Sequence, residues 1–234
     1  MLNQLLISLL QIFVILNTYF KCNRKEFRMF ASRRISTPIV GKREIALSRM
    51  RTAAGIISRC GATSVEITQV LGGYGAGTFH LYAYFQSMEH SMEVSNNLMN
   101  DVAFAKLAEE RELTPSAHVT GPELARILAG EPNPNNTAAM VREYVMPREN
   151  LSKAADMVPG IQDMLKGHNV NITMWVPVIA EDMKRVLVVY AAPDMKTLGK
   201  GTDEVGMTEK FQKMLVEASK LGTLDRAFAL VEIK

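Results

Sequence analysis

The sequence predicts an α+β chain built from two tandem β-α-β-β-α-β repeats, the split-βαβ or ferredoxin-like plan. Three observations lead there. Shifted by 107 residues, the second half falls on the first without a gap: Met88 meets Met195, Phe104 meets Phe211, Glu110 meets Glu217, and Phe79-His80-Leu81-Tyr82 meets Val186-Leu187-Val188-Val189. Short β-branched and aromatic runs closed by Pro or Gly alternate with longer runs of helical period. The 234-residue length suits two units of about 100 residues, each with a core of its own. Few residues are identical between the halves, so the repeat is one of pattern.

The chain opens on residues 2–20, an uncharged apolar stretch, followed by Lys21, Arg24, Lys25 and Arg28. As a helix rising about 1.5 Å per residue, this stretch approaches the roughly 30 Å thickness of a bilayer interior. Three readings stay open: an anchor with its basic flank on the cytoplasmic side, a cleaved leader, or translation starting at Met29. The last is favoured, because Met29-Phe30 leads straight into the first strand. The tail also explains the net charge of +3, since beyond residue 28 basic and acidic side chains balance at 23 each. A neutral body has no electrostatic footprint for nucleic acid. Cys22 and Cys60 form no framework, which fits a reducing cytoplasm.

In the first repeat a strand is expected at 29–37 and a helix at 42–59, with Gly61 as its stop. Strands at 64–71 and 78–85 form a hairpin around the glycine-rich residues 72–77. A helix at 89–111 and a short strand at 116–119 follow. Thr120 and Glu123 have capping-box spacing and predict a short extra helix through 129. Pro132-Asn-Pro-Asn-Asn is the linker.

The second repeat is the cleaner copy. A strand at 140–146 precedes a helix at 149–166, in which Pro159-Gly160 predicts a kink and Gly167 a stop. The strand at 171–179 carries the single tryptophan, Trp175. The strand at 184–192 is apolar almost throughout, as strands covered on both faces are. A helix at 203–220 and a strand at 225–233 close the chain. The domains are thus an apolar segment at 1–28, repeats at 29–131 and 140–234, and a linker at 132–139.

This order, with Arg33-Arg34-Ile35-Ser36-Thr37-Pro38-Ile39-Val40-Gly41-Lys42-Arg43-Glu44 running from first strand to first helix, resembles the dimeric α/β-barrel superfamily. That group includes antibiotic-biosynthesis monooxygenase-like, NIPSNAP-like and stress-responsive barrel proteins. The resemblance covers both repeats. It implies two four-stranded antiparallel sheets packed face to face as a barrel with helices outside, formed within one chain or by a homodimer. It also implies a choice of functions: related domains bind haem, degrade small aromatic or polyketide substrates, or have no known activity.

Candidate chemistry is sparse. Gly73-x-Gly75-x-Gly77 leads into a strand, whereas a phosphate loop must lead into a helix, so it reads as a hairpin turn. His80, Tyr82 and Tyr84 alternate on one strand face, opposite Phe79, Leu81, Ala83 and Phe85. If that face looks into the barrel, the three could orient a small aromatic ligand, with His80 as proton acceptor and Glu66 nearby on the partner strand. The plainer reading, half-buried sheet residues with satisfied hydrogen bonds, is favoured. The face still stands out, because the second repeat replaces it with Leu187, Val189 and Ala191. His118 on a strand reads as structural rather than as a haem ligand, and His90 and His168 as surface residues. No spacing suits a metal. Met88, Met92, Met99, Met195, Met207 and Met214 read as core fillers. The function expected is binding of a small apolar or aromatic molecule without a cofactor. The alternative is an oxygenase or isomerase, cofactor-independent or using haem, with membrane contact only through residues 2–20.

Overall fold

The computed structural model describes residues 30–233. The apolar stretch at 2–20 and the start at Met29 lie outside them. In chain order the elements are β1 (Phe30–Pro38), α1 (Arg43–Arg59), β2 (Ser64–Gly73), β3 (Phe79–Phe85), α2 (Met88–Met99), α3 (Val102–Leu113), β4 (Ala117–Ala129), β5 (Ala138–Val145), α4 (Leu151–Leu165), β6 (Asn171–Ile179), β7 (Arg185–Ala192), α5 (Met195–Gly201), α6 (Glu209–Ser219) and β8 (Thr223–Glu232). Short 3₁₀ and π turns at Arg148–Asn150 and Thr202–Gly206 precede α4 and α6.

The expected pair of ferredoxin-like four-stranded sheets is overturned. All eight strands form one closed antiparallel barrel in the order β1-β3-β2-β8-β5-β7-β6-β4. The physical reason lies in the edges. A four-stranded sheet leaves two rows of unpaired backbone groups, and here each row finds the other half of the chain. β2 pairs with β8 from Thr68↔Glu232 to Gly73↔Phe228, and β4 pairs with β6 from Leu124↔Ile179 to Ala129↔Met174. At both seams a glycine lets the backbones close up. A Cβ on Gly73 would stand 2.3 Å from Ala227 O, and one on Gly130 would stand 2.2 Å from Ile172 O.

Residues 120–129 are not a helix but the greater part of β4. They pair with β1 on one side and β6 on the other, and those two ladders outweigh the local capping signal. The helix expected at 89–111 is two helices, because Asp101 starts a new one by accepting from Phe104 N at 3.0 Å. The helix expected at 203–220 is likewise shortened. Thr208 caps α6, and residues 195–201 form a helix of their own. These breaks expose Met99 and Met207, two of the expected core methionines, and Met92 is also exposed. α4 runs through Pro159 without interruption.

The apolar side chains make three cores. Phe79, Leu81, Ala83 and Phe85 point outward under α1, α2 and α3, with Ile56, Ile57, Leu98 and Leu107 against them. Phe79 is 0% exposed and Leu81 2%, and burying such a side chain contributes about 1.5–3 kcal/mol. Ile172, Met174 and Val186 pack likewise under α4, α5 and α6 with Val158, Ile161 and Phe211. The third core is inside the barrel, where Val70, Val141, Phe228 and Leu230 meet Leu187 and Val189. Among the described residues no helix is long and apolar enough to cross a membrane.

Candidate functional site

Strand alternation turns His80, Tyr82 and Tyr84 inward, since their neighbours Phe79, Leu81, Ala83 and Phe85 fill the outer core. Register then sets their partners. Tyr82 lies opposite Arg33 of β1 and Glu66 of β2, and Tyr84 opposite Ser64. In the other half Val189 lies opposite Val141 and Thr173. The place taken by Tyr82, Arg33 and Glu66 in one half is thus taken by Val189, Val141 and Thr173 in the other.

Between these unlike walls lies a cavity of about 150 Å³, a volume of the size that admits a benzene-like ring. Arg33, Glu66, Tyr82, Tyr84 and Glu123 make its polar wall, and Trp175, Leu187, Val189, Ala191 and Leu230 its apolar wall. Asn136, Thr137 and Asn171 border one end, and Ala180, Asp182 and Arg185 the other.

Of the four residues singled out from sequence, three line the cavity together. Tyr84 donates its hydroxyl to Glu66 Oε2 at 3.0 Å, and Tyr82 stacks on Tyr84 with ring centroids 6.5 Å apart. His80 is set back and does not line the cavity. It is 4% exposed, edge-on to Phe228 at 5.4 Å. Its proton can be placed. Thr78 Oγ1 donates to Gly75 O at 2.7 Å and so serves as acceptor for His80 Nε2 at 3.4 Å. Nδ1 is then bare and accepts the Tyr82 hydroxyl at 3.2 Å. Burial first, and the charge of Arg33 second, hold the His80 pKa down to about 3. Burial also pushes the Tyr82 hydroxyl up to about 12, against the pull of Arg33. At neutral pH both are uncharged.

The residues that sequence reasoning missed are the charged ones. Arg33 donates to Glu143 Oε1 at 2.7 Å and to Glu123 Oε2 at 3.1 Å. Glu143, 3% exposed in its side chain, also receives Arg185 at 3.3 Å, and Arg185 reaches Asp225 at 2.5 Å and Asp182 at 3.3 Å. Burial opposes the charge on Arg33, but Tyr82, Glu143 and Glu123 outweigh it and raise its pKa. Both guanidiniums are neutralised by carboxylates of the barrel. One signal was legible: Val141 and Glu143 sit two apart on one strand, so a strand that buries Val141 buries Glu143 as well.

No histidine lines the cavity. Both ring nitrogens of His80 are engaged inside the protein, and His118 is exposed on β4. His90 is held by Gln86 N and Gly61 O. His168 bonds Glu204 beside a second opening of about 30 Å³, room for a water or two. Among the described residues no group of three or more His, Cys, Asp or Glu is arranged to hold a metal ion.

No protein-family model matches the chain, and no curated protein does. Solved structures do. A candidate monooxygenase from Fusobacterium nucleatum aligns with TM-score 0.56 and 8% identity, over 88% of this chain and 94% of its own. An anthrone oxidase-like protein gives TM-score 0.59 and 10% identity, over 88% and 92%. A haem-binding protein from Thermus thermophilus gives 0.51 and 12%, over 89% and 92%. Monooxygenase-like and anthrone oxidase-like neighbours belong to the dimeric α/β-barrel superfamily. At these identities the likeness is one of fold.

Proposed function

We propose that the chain binds a small uncharged aromatic molecule inside its barrel. The observation that carries this reading is the two-walled cavity, with Tyr82, Tyr84 and Glu66 facing Trp175, Leu187 and Val189 across about 150 Å³. The apolar wall supplies contact area, and the few polar groups opposite it orient the ring. Arg33 and Arg185 are already matched by Glu143, Glu123, Asp182 and Asp225. No surplus positive charge faces the cavity from these arginines, which disfavours a carboxylate or phosphate ligand. The barrel closes within one chain, so the reading needs no second copy.

Trp175 supplies the test, since it is the single tryptophan and lines the cavity. Titration with toluene or phenol should change its emission saturably, while benzoate should not. Val189→Glu should abolish the change. Emission indifferent to all three compounds would count against the proposal.

One observation favours a second reading, oxidation of the bound ring. The Tyr84–Glu66 pair places a carboxylate at the cavity wall, where it could take the proton of a ring hydroxyl. Neighbours described as monooxygenase and anthrone oxidase-like support it. Oxygen uptake with hydroxylated aromatics, lost in Glu66→Gln while binding persists, is the expected result. Binding without uptake by the wild-type protein leaves the first reading alone.

A further inference from the structure

The second opening, of about 30 Å³, lies outside the barrel, with β5 and β7 on one side and α5, α6 and the π turn at Thr202–Gly206 on the other. Leu165, Leu198 and Phe211 give it an apolar wall, and Arg142 is the one charged residue lining it among those described. Strand alternation explains that place. Val141 and Glu143 are turned into the barrel, so Arg142 between them points out beneath the helices. Its guanidinium lies over the Tyr190 ring, 5.6 Å from the centroid.

Both groups have protons to give and no protein atom to receive them. Arg33, Arg49, Arg59 and Arg185 each donate to an oxygen of the protein. Arg142 makes no hydrogen bond or ion pair among the described residues, and neither does the Tyr190 hydroxyl. Burial pushes that hydroxyl up to about 12 against the pull of Arg142, so it holds its proton at neutral pH. Nor are these atoms sealed off. The unmatched side-chain atoms without accessible surface are Thr63 Oγ1, Ser64 Oγ and Asn136 Oδ1. The Tyr190 oxygen and the Arg142 nitrogens keep some surface, and the opening is the space that both residues line. The first half has Arg34 at the matching place, opposite Leu81 as Arg142 is opposite Val188, but Ala83 stands where Tyr190 does.

We infer that Arg142 and Tyr190 form a binding site for one small anion, of the size of chloride or formate. Two donors, one of them charged, line the same opening, and an anion satisfies both. A water would serve the phenol but leave the half-buried guanidinium uncompensated. The volume, room for a water or two, sets the upper limit on the ion. Thr202 and Gly206 bring the π turn into the wall, and turns of that kind are frequent at functional sites. The site is separate from the barrel cavity and does not depend on the reading of it.

The test is the chlorine NMR line width of sodium chloride mixed with the full chain at constant ionic strength, since chloride exchanging with a protein site relaxes faster than free chloride. The wild-type protein should broaden the line. Formate should reverse the broadening, and sulfate, too large for the opening, should not. Arg142→Gln should abolish the excess width. Tyr190→Phe keeps the ring and loses only the hydroxyl, and should weaken chloride about tenfold, the worth of one hydrogen bond to a charged group. No excess width with the wild-type protein would overturn the inference. An excess that survives Arg142→Gln would overturn it too, the ion then lying elsewhere. So would one untouched by Tyr190→Phe, or one that sulfate removes as readily as formate, because Arg142 would then be acting at the open surface. The comparison of formate with sulfate needs no variant to fold.

Discussion

His80 is kept uncharged inside a barrel that also holds two arginines, and this has a price in acid. Burial and the nearby charge of Arg33 hold its folded pKa near 3, against about 6.5 in an unfolded chain. Between those values the unfolded chain takes up a proton that the folded one refuses. Stability due to this group is therefore intact above about pH 6.5 and falls as pH drops toward 3, by up to about 1.4 kcal/mol per pH unit. His80→Gln keeps a polar side chain but cannot titrate. Urea unfolding at pH 7, 6 and 5 should show the wild-type protein losing stability faster than the variant, so that their difference closes on acidification. Parallel losses would mean that His80 titrates alike in both states. Glu143 is the complementary case: it is buried because Arg33 and Arg185 both need it. Removing one partner from such a group strands the charge that is left.

At the scale of elements, the seams decide the architecture. Gly73 sits at the end of β2 with φ +84, and a side chain there would collide with the Ala227 carbonyl of β8. Gly77 in the same hairpin also has a positive φ, +90, but nothing lies within 4 Å of its missing Cβ. Gly77→Ala should therefore cost only the backbone term, roughly 1–2 kcal/mol. Gly73→Ala should cost clearly more, because the seam must open as well, and urea midpoints of the two variants compare them directly. The same elements show what the sequence could say. A 107-residue displacement carries β2 at Ser64–Gly73 onto β6 at Asn171–Ile179 and α2 at Met88–Met99 onto α5 at Met195–Gly201. Alternation along β3 is enough to set His80, Tyr82 and Tyr84 on one face, and the structure turns that face inward. Local rules fail where long-range pairing takes over. Thr120 to Glu123 look like a helix start, yet they lie in a strand because β1 pairs with them at Thr120 and Glu123 and β6 takes up the strand from Leu124. Arg33 and Glu143 are 110 residues apart, and a charge on a strand reads as a solvent-facing one until closure of the barrel puts it inside. Asn136 reads as part of a polar linker, a type of segment that carries no hint of a cavity.

For the whole molecule, closure makes each half depend on the other. A chain of residues 30–131 alone would bare the edges of β2 and β4, which now pair with β8 and β6. Such a fragment should self-associate through those edges, since exposed strand edges recruit further strands. Light scattering on the purified fragment should report a dimer or larger species, and a stable monomer would contradict the dependence. Closure within one chain has another effect. In a barrel assembled from two identical subunits, every interior position is present twice, and a guest meets the same lining whichever way round it enters. Here the tyrosines of β3 look across at the aliphatic side chains of β7, so the container has a left and a right. A guest held in it has one favoured pose, and a reagent arriving through one mouth would meet one face of the ring only.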